Sequence, residues 1–188
     1  MMGSKGGRSI QALRQLLLLR HAKAVPHTSD ASDHARALEP RGRADMATLR
    51  EAMRARSLAP EVVLVSSARR ALQTLEALEP WDEMPLIEPM DALYMADAER
   101  IFAALRRLGP GVRSAMVIGH NPGLHEAACL LADGAGGAAE EAMCKAYPTG
   151  GLAEFTLLGG WDTLAPGVAR LRLFLTPRAL AGARAAGD

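Results

Sequence analysis

Cysteine is scarce in this sequence: Cys129 and Cys144 are the only two in 188 residues. Two thiols are too few for a disulfide framework and suit a chain that works in the reducing cytoplasm. An excess of charge of either sign is missing too. Lys and Arg total 22 against 21 Asp and Glu, for a formal net charge of +1. That balance argues against nucleic acid or an anionic membrane as a partner, while leaving room for a local basic pocket. Long apolar runs are also lacking. The first, Leu16 to Leu19, is four residues long and stops at Arg20, far short of a membrane span or a signal-peptide core. No internal repeat and no dividing linker is visible, so the chain is expected to form one domain.

What is present alternates between apolar blocks and helical stretches. Leu16–Leu19 suits a strand buried on both faces. A polar segment follows, then the Ala-, Leu- and Arg-rich helical stretch 43–58, which stops before Pro60. EVVLVSS is a β-branched strand leading into the helix of ARRALQTLEALE. PLIEP is a short strand between prolines, ADAERIFAALRRLG an amphipathic helix, SAMVIGH a strand, and GLHEAACLLADG another helix. Residues 133–151 read as a loop or weak helix, and LAEFTLL and VARLRLFLT as two closing strands forming a hairpin. The expected fold is an α/β, single three-layer domain with a largely parallel central sheet, helices on both faces and no cap domain. Residues 1–14 are expected to be a flexible segment, 15–178 the domain and 179–188 a tail.

In such a sheet, ligands bind beyond the carboxyl ends of the strands. Arg20-His21, Arg69-Arg70 and His120-Asn121 all follow strands there. Arginines and histidines on one rim form a positive pocket, and guanidinium forks match phosphate oxygens bidentately. An imidazole with an unprotonated nitrogen is a good nucleophile near neutral pH. One histidine would take a phosphoryl group while the other and the arginines stabilise its oxygens. The pocket supplies its own positive charge, so no cofactor is expected and no metal need be invoked.

LLLLRHAKA resembles the Arg-His signature of the histidine phosphatase (phosphoglycerate-mutase-like) superfamily, with Ala22 where many members have Gly. SSARRALQTLE is similar to the second arginine motif. VIGHNPGL resembles the second-histidine motif in its short, SixA-type phosphohistidine phosphatase form. DHARALEPRGRADM and YPTGGLAEF are similar to the same subgroup, so the resemblance spans roughly Leu16 to Thr176. It implies His21 as the nucleophile that becomes phosphohistidine, Arg20 and Arg70 as phosphate ligands and His120 as a stabiliser of the transferring group. Arg70 rather than Arg69 fits the motif. Neighbouring helical residues point about 100° apart, which sets the two apart. Larger members carry a general acid after the third strand; Asp91 is the candidate here, with Glu88 as the other. Asn121 is divided between capping the next helix and binding phosphate. His27, His34 and His125 are expected in surface or loop roles, and Cys129 in the core.

The expected activity is that of a metal-independent phosphatase acting on phosphohistidine of a protein. Only about two dozen residues separate PLIEP from SAMVIG, which one helix largely uses, so the pocket is expected to be open. Small phosphomonoesters are the alternative substrate. A catalytically silent module that binds phosphorylated proteins is a different class of reading. A histidine metal site is a third, and predicts activity that a chelator removes.

Overall fold

Leu16, Leu17, Leu18 and Leu19 are all fully buried, because their strand, β1 (Arg14–Arg20), lies inside the sheet. Its neighbours are β4 (Ser114–Gly119), which runs parallel to it, and β5 (Leu152–Leu157), which runs antiparallel. The computed structural model describes residues 13–27 and 32–185. The expected flexible segment 1–14 lies outside the described residues apart from Leu13 and Arg14, and Arg14 opens β1.

The remaining strands are β2 (Val62–Ser66), β3 (Leu86–Met90) and β6 (Ala169–Leu175), in the sheet order β3-β2-β4-β1-β5-β6. The expectation of a largely parallel sheet is corrected. The sheet is mixed: β1/β4, β2/β4 and β2/β3 are parallel, whereas β1/β5 and β5/β6 are antiparallel. Among the described strands β5 alone is reversed: it runs antiparallel to β1, and the short connection to β6 makes that pair antiparallel too. The alternation in β6, with Arg170 and Arg172 outside and Leu171 and Leu175 inside, marks an antiparallel strand with one wet face. Pro89 is accommodated in β3, which pairs only with β2 at the sheet edge.

Among the described residues six α-helices pack on this sheet: α1 (Pro40–Arg54), α2 (Arg69–Glu76), α3 (Ala98–Arg106), α4 (Gly123–Leu131), α5 (Gly137–Lys145) and α6 (Pro177–Ala185). Pro40 begins α1 at a position where no amide partner is needed. The Asp97 carboxylate caps α3 by accepting from the Arg100 amide. The stretch 133–151, read as a loop or weak helix, contains α5, and residues 179–185 continue α6, with Leu180 buried.

Alternate residues of the central strands enter two separate apolar clusters. Leu16, Leu18, Val62 and Leu64 join Phe102, Leu105, Leu124 and Met143 from α3, α4 and α5. Leu17, Leu19, Val63 and Val65 join Met46, Leu49, Leu75 and Leu180 from α1, α2 and α6. At roughly 1.5–3 kcal/mol per buried large aliphatic side chain, this two-sided burial fixes the strand register, since a one-residue slip would exchange the clusters.

Candidate active site

The register sets three strand ends side by side. Arg20 pairs with Gly119, and Val65 with Ile118, so His21, Ser66 and His120 emerge at the same edge of the sheet. The loop Tyr147–Gly151 arrives there as well, because β5 begins opposite Leu19. Gly150 adopts φ +73, a conformation that favours glycine, and its amide reaches the carbonyls of both Arg20 and His21.

His21 is 7% exposed. Its Nδ1 lies 2.8 Å from the Ala22 carbonyl oxygen, and Arg70 Nε donates to its Nε2 at 3.2 Å. A carbonyl only accepts and a guanidinium only donates, so the hydrogen is on Nδ1 and Nε2 presents a lone pair. Burial lowers the pKa, the bond to Ala22 opposes it, and the charges of Arg70, Arg20 and Arg36 lower it further, to about 4. The ring is therefore neutral at pH 7.

His120 is also buried, with its ring centroid 5.0 Å from that of His21. Ser66 Oγ lies 2.7 Å from its Nε2 and accepts the Ala68 amide at 3.3 Å. The hydroxyl accepts from that amide and has a hydrogen and a second lone pair left, so it can donate to Nε2 or accept from it; when it donates, the ring hydrogen is on Nδ1. Nδ1 is buried without a partner. Burial and the neighbouring His21 and Arg70 hold the His120 pKa down at about 3.

Arg70, near the start of α2, is buried while Arg69 is exposed. Besides its bond to His21, it donates from Nη1 to the Asp33 backbone oxygen at 2.6 Å and from Nη2 to Asp33 Oδ2 at 3.0 Å. Arg20 donates from Nη1 to the Tyr147 carbonyl at 2.8 Å, while its Nε is buried without a partner. Asn121 Nδ2 donates to that same carbonyl at 3.0 Å, so its amide braces the loop and does not cap α4. Two nitrogens, Arg20 Nε and His120 Nδ1, are thus buried unmatched in one small region. Unmatched buried polar groups cost about 1–3 kcal/mol each unless a ligand engages them.

The expected acid is not brought to the site. Asp91 is exposed in a 3-10 turn, Asp91–Leu93, and its carboxylate makes no hydrogen bond or ion pair among the described residues. Glu88 is exposed on edge strand β3. The carboxylate that does reach the site is Asp33, in a 3-10 turn of its own, Asp33–Ala35. It accepts from Arg70, from Tyr94 Oη at 2.9 Å and from Arg36 Nε at 2.8 Å. Partial burial works to raise its pKa, but the Tyr94 hydroxyl and the two arginines bring it down to about 2. Asp33 is therefore ionised.

Other participants went unnoticed in the sequence. The Tyr94 ring stands edge-on to His34 at 4.9 Å and to His120 at 5.7 Å. His34 Nε2 lies 3.0 Å from Ser67 Oγ, so it belongs to the site's rim. Tyr147 anchors its loop by donating from Oη to the Leu18 carbonyl at 2.6 Å. Asp33 and His34 open the DHARALEPRGRADM segment, Tyr147 opens YPTGGLAEF and Ser66 opens SSARRALQTLE, so the resemblance marked their segments without giving these side chains a role. Among the described residues, no group of three His, Cys, Asp or Glu is placed to hold a metal ion, and no helix is long and apolar enough to cross a membrane.

No protein-family model matches the sequence. An uncharacterized protein of Mycobacterium tuberculosis is 33% identical over 162 residues, covering 85% of this chain and all of that protein. A protein designated SixA from Nakamurella multipartitia has a solved structure that superposes with a TM-score of 0.79 at 25% identity, covering 90% of this chain and 99% of that one. The protein histidine phosphatase SixA complexed with tungstate superposes with a TM-score of 0.73 at 25% identity, over 88% of this chain and 99% of that one.

Proposed function

We propose, for a chain that belongs to the histidine phosphatase superfamily in its short SixA-type form, that it hydrolyses protein phosphohistidine through a phosphoryl group carried on His21. The observation that carries this reading is the state of the His21 ring. It is neutral and hydrogenated on Nδ1, and its Nε2 lone pair faces the Arg70 guanidinium.

In the first step the Nε2 lone pair attacks phosphorus. The bond to the leaving nitrogen breaks, and its electron pair stays with the departing imidazole. Arg70, Arg20 Nε and His120 Nδ1 stabilise the phosphoryl oxygens as charge shifts between them. Water then attacks the phosphorus of phospho-His21 and the P–Nε2 bond breaks. Its pair returns to Nε2, leaving dihydrogen phosphate that exchanges its proton with solvent. Throughout, the Ala22 carbonyl keeps the hydrogen on Nδ1, which makes the ring a better leaving group in this second step.

The choice of phosphohistidine rests on the missing acid. An alkoxide must be protonated as it leaves, whereas a phosphohistidine ring that carries a hydrogen on its other nitrogen departs as neutral imidazole without that help. The carboxylate at the site, Asp33, is ionised, and Asp91 and Glu88 are exposed away from the hydrogen-bonded cluster. That favours a nitrogen leaving group over an alkyl ester. The binding of tungstate by a SixA protein is consistent with an oxyanion place at the equivalent end of the sheet.

The experiment is phosphate release from a phosphohistidine peptide and from p-nitrophenyl phosphate, with EDTA present and His21→Ala as control. Turnover of the peptide well above the aryl ester, lost in the variant, supports the reading. Fast aryl-ester turnover with little action on the peptide would move the substrate to small phosphomonoesters. No release from either, with retained phosphopeptide binding, would make the chain a binding module.

A further inference from the structure

Arg70 offers two hydrogens along one edge of its fork, from Nε and Nη2, the edge with which a guanidinium grips two oxygens of an anion. In the free protein both are taken. Nε points at the nucleophilic Nε2 of His21 at 3.2 Å, and Nη2 is held by Asp33 Oδ2 at 3.0 Å. A phosphoryl group under attack by that Nε2 must bring its own oxygens to the same edge. We propose that Asp33 is a specificity-determining residue: its carboxylate occupies the phosphoryl place on Arg70, and an incoming phosphoryl group must displace it. This proposal rests on the phosphoryl-transfer reading of the site.

The surroundings permit that exchange. Arg70 is fixed by its other edge, where Nη1 donates to the Asp33 backbone oxygen at 2.6 Å. The guanidinium therefore stays in place when the side-chain carboxylate leaves. The Arg70 side chain is 2% exposed but that of Asp33 is 35% exposed, so the carboxylate is the partner with solvent to move into. Its second oxygen is already paired with Arg36 Nε at 2.8 Å, and Arg36 is itself tied to the Val25 carbonyl at 2.9 Å. A displaced carboxylate thus keeps a counter-ion. Tyr94 Oη, donating to Oδ2 at 2.9 Å, biases it toward the occupied position.

Two anions on one guanidinium edge repel each other, and in a half-buried site water screens that repulsion poorly. Free phosphate, with no further contacts, competes badly with Asp33. A phosphorylated protein has contacts beyond the phosphoryl group to offset the displacement. Asp33 would so turn away small oxyanions, and by returning to Arg70 it would help expel the phosphate product.

Titration calorimetry of the full chain with tungstate at pH 7 tests the proposal. Asp33→Asn keeps the shape and an acceptor for Arg36 but removes the charge. It is expected to bind tungstate about tenfold more tightly than the unaltered chain, the scale of one charge-assisted contact. Tyr94→Phe loosens the carboxylate without removing it and is expected to tighten binding by a smaller factor, about two- to threefold. It decides the matter if Asp33→Asn fails to fold. Unchanged or weaker binding in the folded variants would overturn the proposal and leave Asp33 as an anchor for Arg70. Binding that survives Arg70→Ala would overturn it too. Phosphohistidine turnover, read separately, stands or falls on His21→Ala and not on Asp33, so the two failures are distinct.

Discussion

Thr74 ties the nucleophile to the phosphate-binding helix. Its Oγ1 accepts the Ala22 amide at 3.0 Å and donates to the Arg70 carbonyl at 2.7 Å. Positions 70 and 74 lie one helical turn apart and stack on the same face of α2, which puts the hydroxyl over the Arg70 carbonyl. One buried hydroxyl therefore sets the distance between the His21 segment and the guanidinium.

Thr74→Val keeps the volume and removes both bonds. The Ala22 amide is then buried unmatched, and stability is expected to fall by about 1–3 kcal/mol. The rate constant is expected to fall by roughly tenfold or more, because His21 and Arg70 lose their common reference. Thr74→Ser should restore both. Urea denaturation and single-turnover kinetics on the three chains would show it, and a Val variant with unaltered kinetics would mean that the strand alone positions His21.

Ser66 acts on His120 in a comparable way. If its hydroxyl fixes the hydrogen on His120 Nδ1, Ser66→Ala frees the ring to take the other tautomer, with an acceptor toward the phosphoryl oxygens. The expected result is a fall of roughly 10- to 100-fold in kcat with little change in KM, since the lost contact matters most in the transition state. A rise in KM at constant kcat would instead assign His120 to ground-state binding.

Arg70→Lys tests the two-edged grip. An ammonium cannot serve His21 Nε2, Asp33 Oδ2 and the Asp33 carbonyl together, as the fork does. A fall in kcat/KM of about 100-fold or more is expected, together with a lower melting temperature from the buried, poorly matched charge. Retention of most of the activity would mean that only net positive charge is needed at this point.

How much of this was legible follows from where the information lies. Arg20 and His21 sit at the end of an all-leucine run, and Arg70 and His120 sit one turn beyond and directly after runs rich in Val and Ile, so the strand-end rule alone gathers them. The hairpin of β5 and β6 was visible in two adjacent apolar segments, but the mixed sheet was not, because an all-apolar strand such as β1 reads alike in either orientation. Asp33 reaches Arg70 across 37 positions. It does so from a 3-10 turn in a polar segment with no periodicity; the resemblance marked the segment that Asp33 opens, but not its contact with Arg70. Asp91 was the candidate that the resemblance implied, yet the chain exposes it and turns Tyr94 onto Asp33 three residues later.

The two histidines also make stability depend on pH, with a definite sign. Their native pKa values lie at about 4 for His21 and about 3 for His120, below the 6.5 of an unfolded histidine. Between pH 6.5 and those values the unfolded chain binds more protons than the native one, so stability rises with pH across the window and is lost as pH falls. Each ring taken alone would contribute on the order of 2–3 kcal/mol. The rings repel one another when charged, so their titrations are coupled; protonating one keeps the other neutral to lower pH, the two contributions add, and a joint loss on the order of 5 kcal/mol between pH 7 and 4 is expected. Asp33 does not confound the window, because its native value of about 2 confines the loss of its contribution to pH below about 4. Urea denaturation at pH 7, 5.5 and 4.5 measures the slope, with a His21→Asn/His120→Asn chain as reference. A flatter dependence in that chain is expected; equal slopes would mean the rings accept protons in the native site, and His21 would lose its lone pair below pH 6.5. Activity then discriminates independently, since a ring kept neutral to about pH 4 holds kcat/KM level down to pH 5, and a freely titrating one halves it near 6.5.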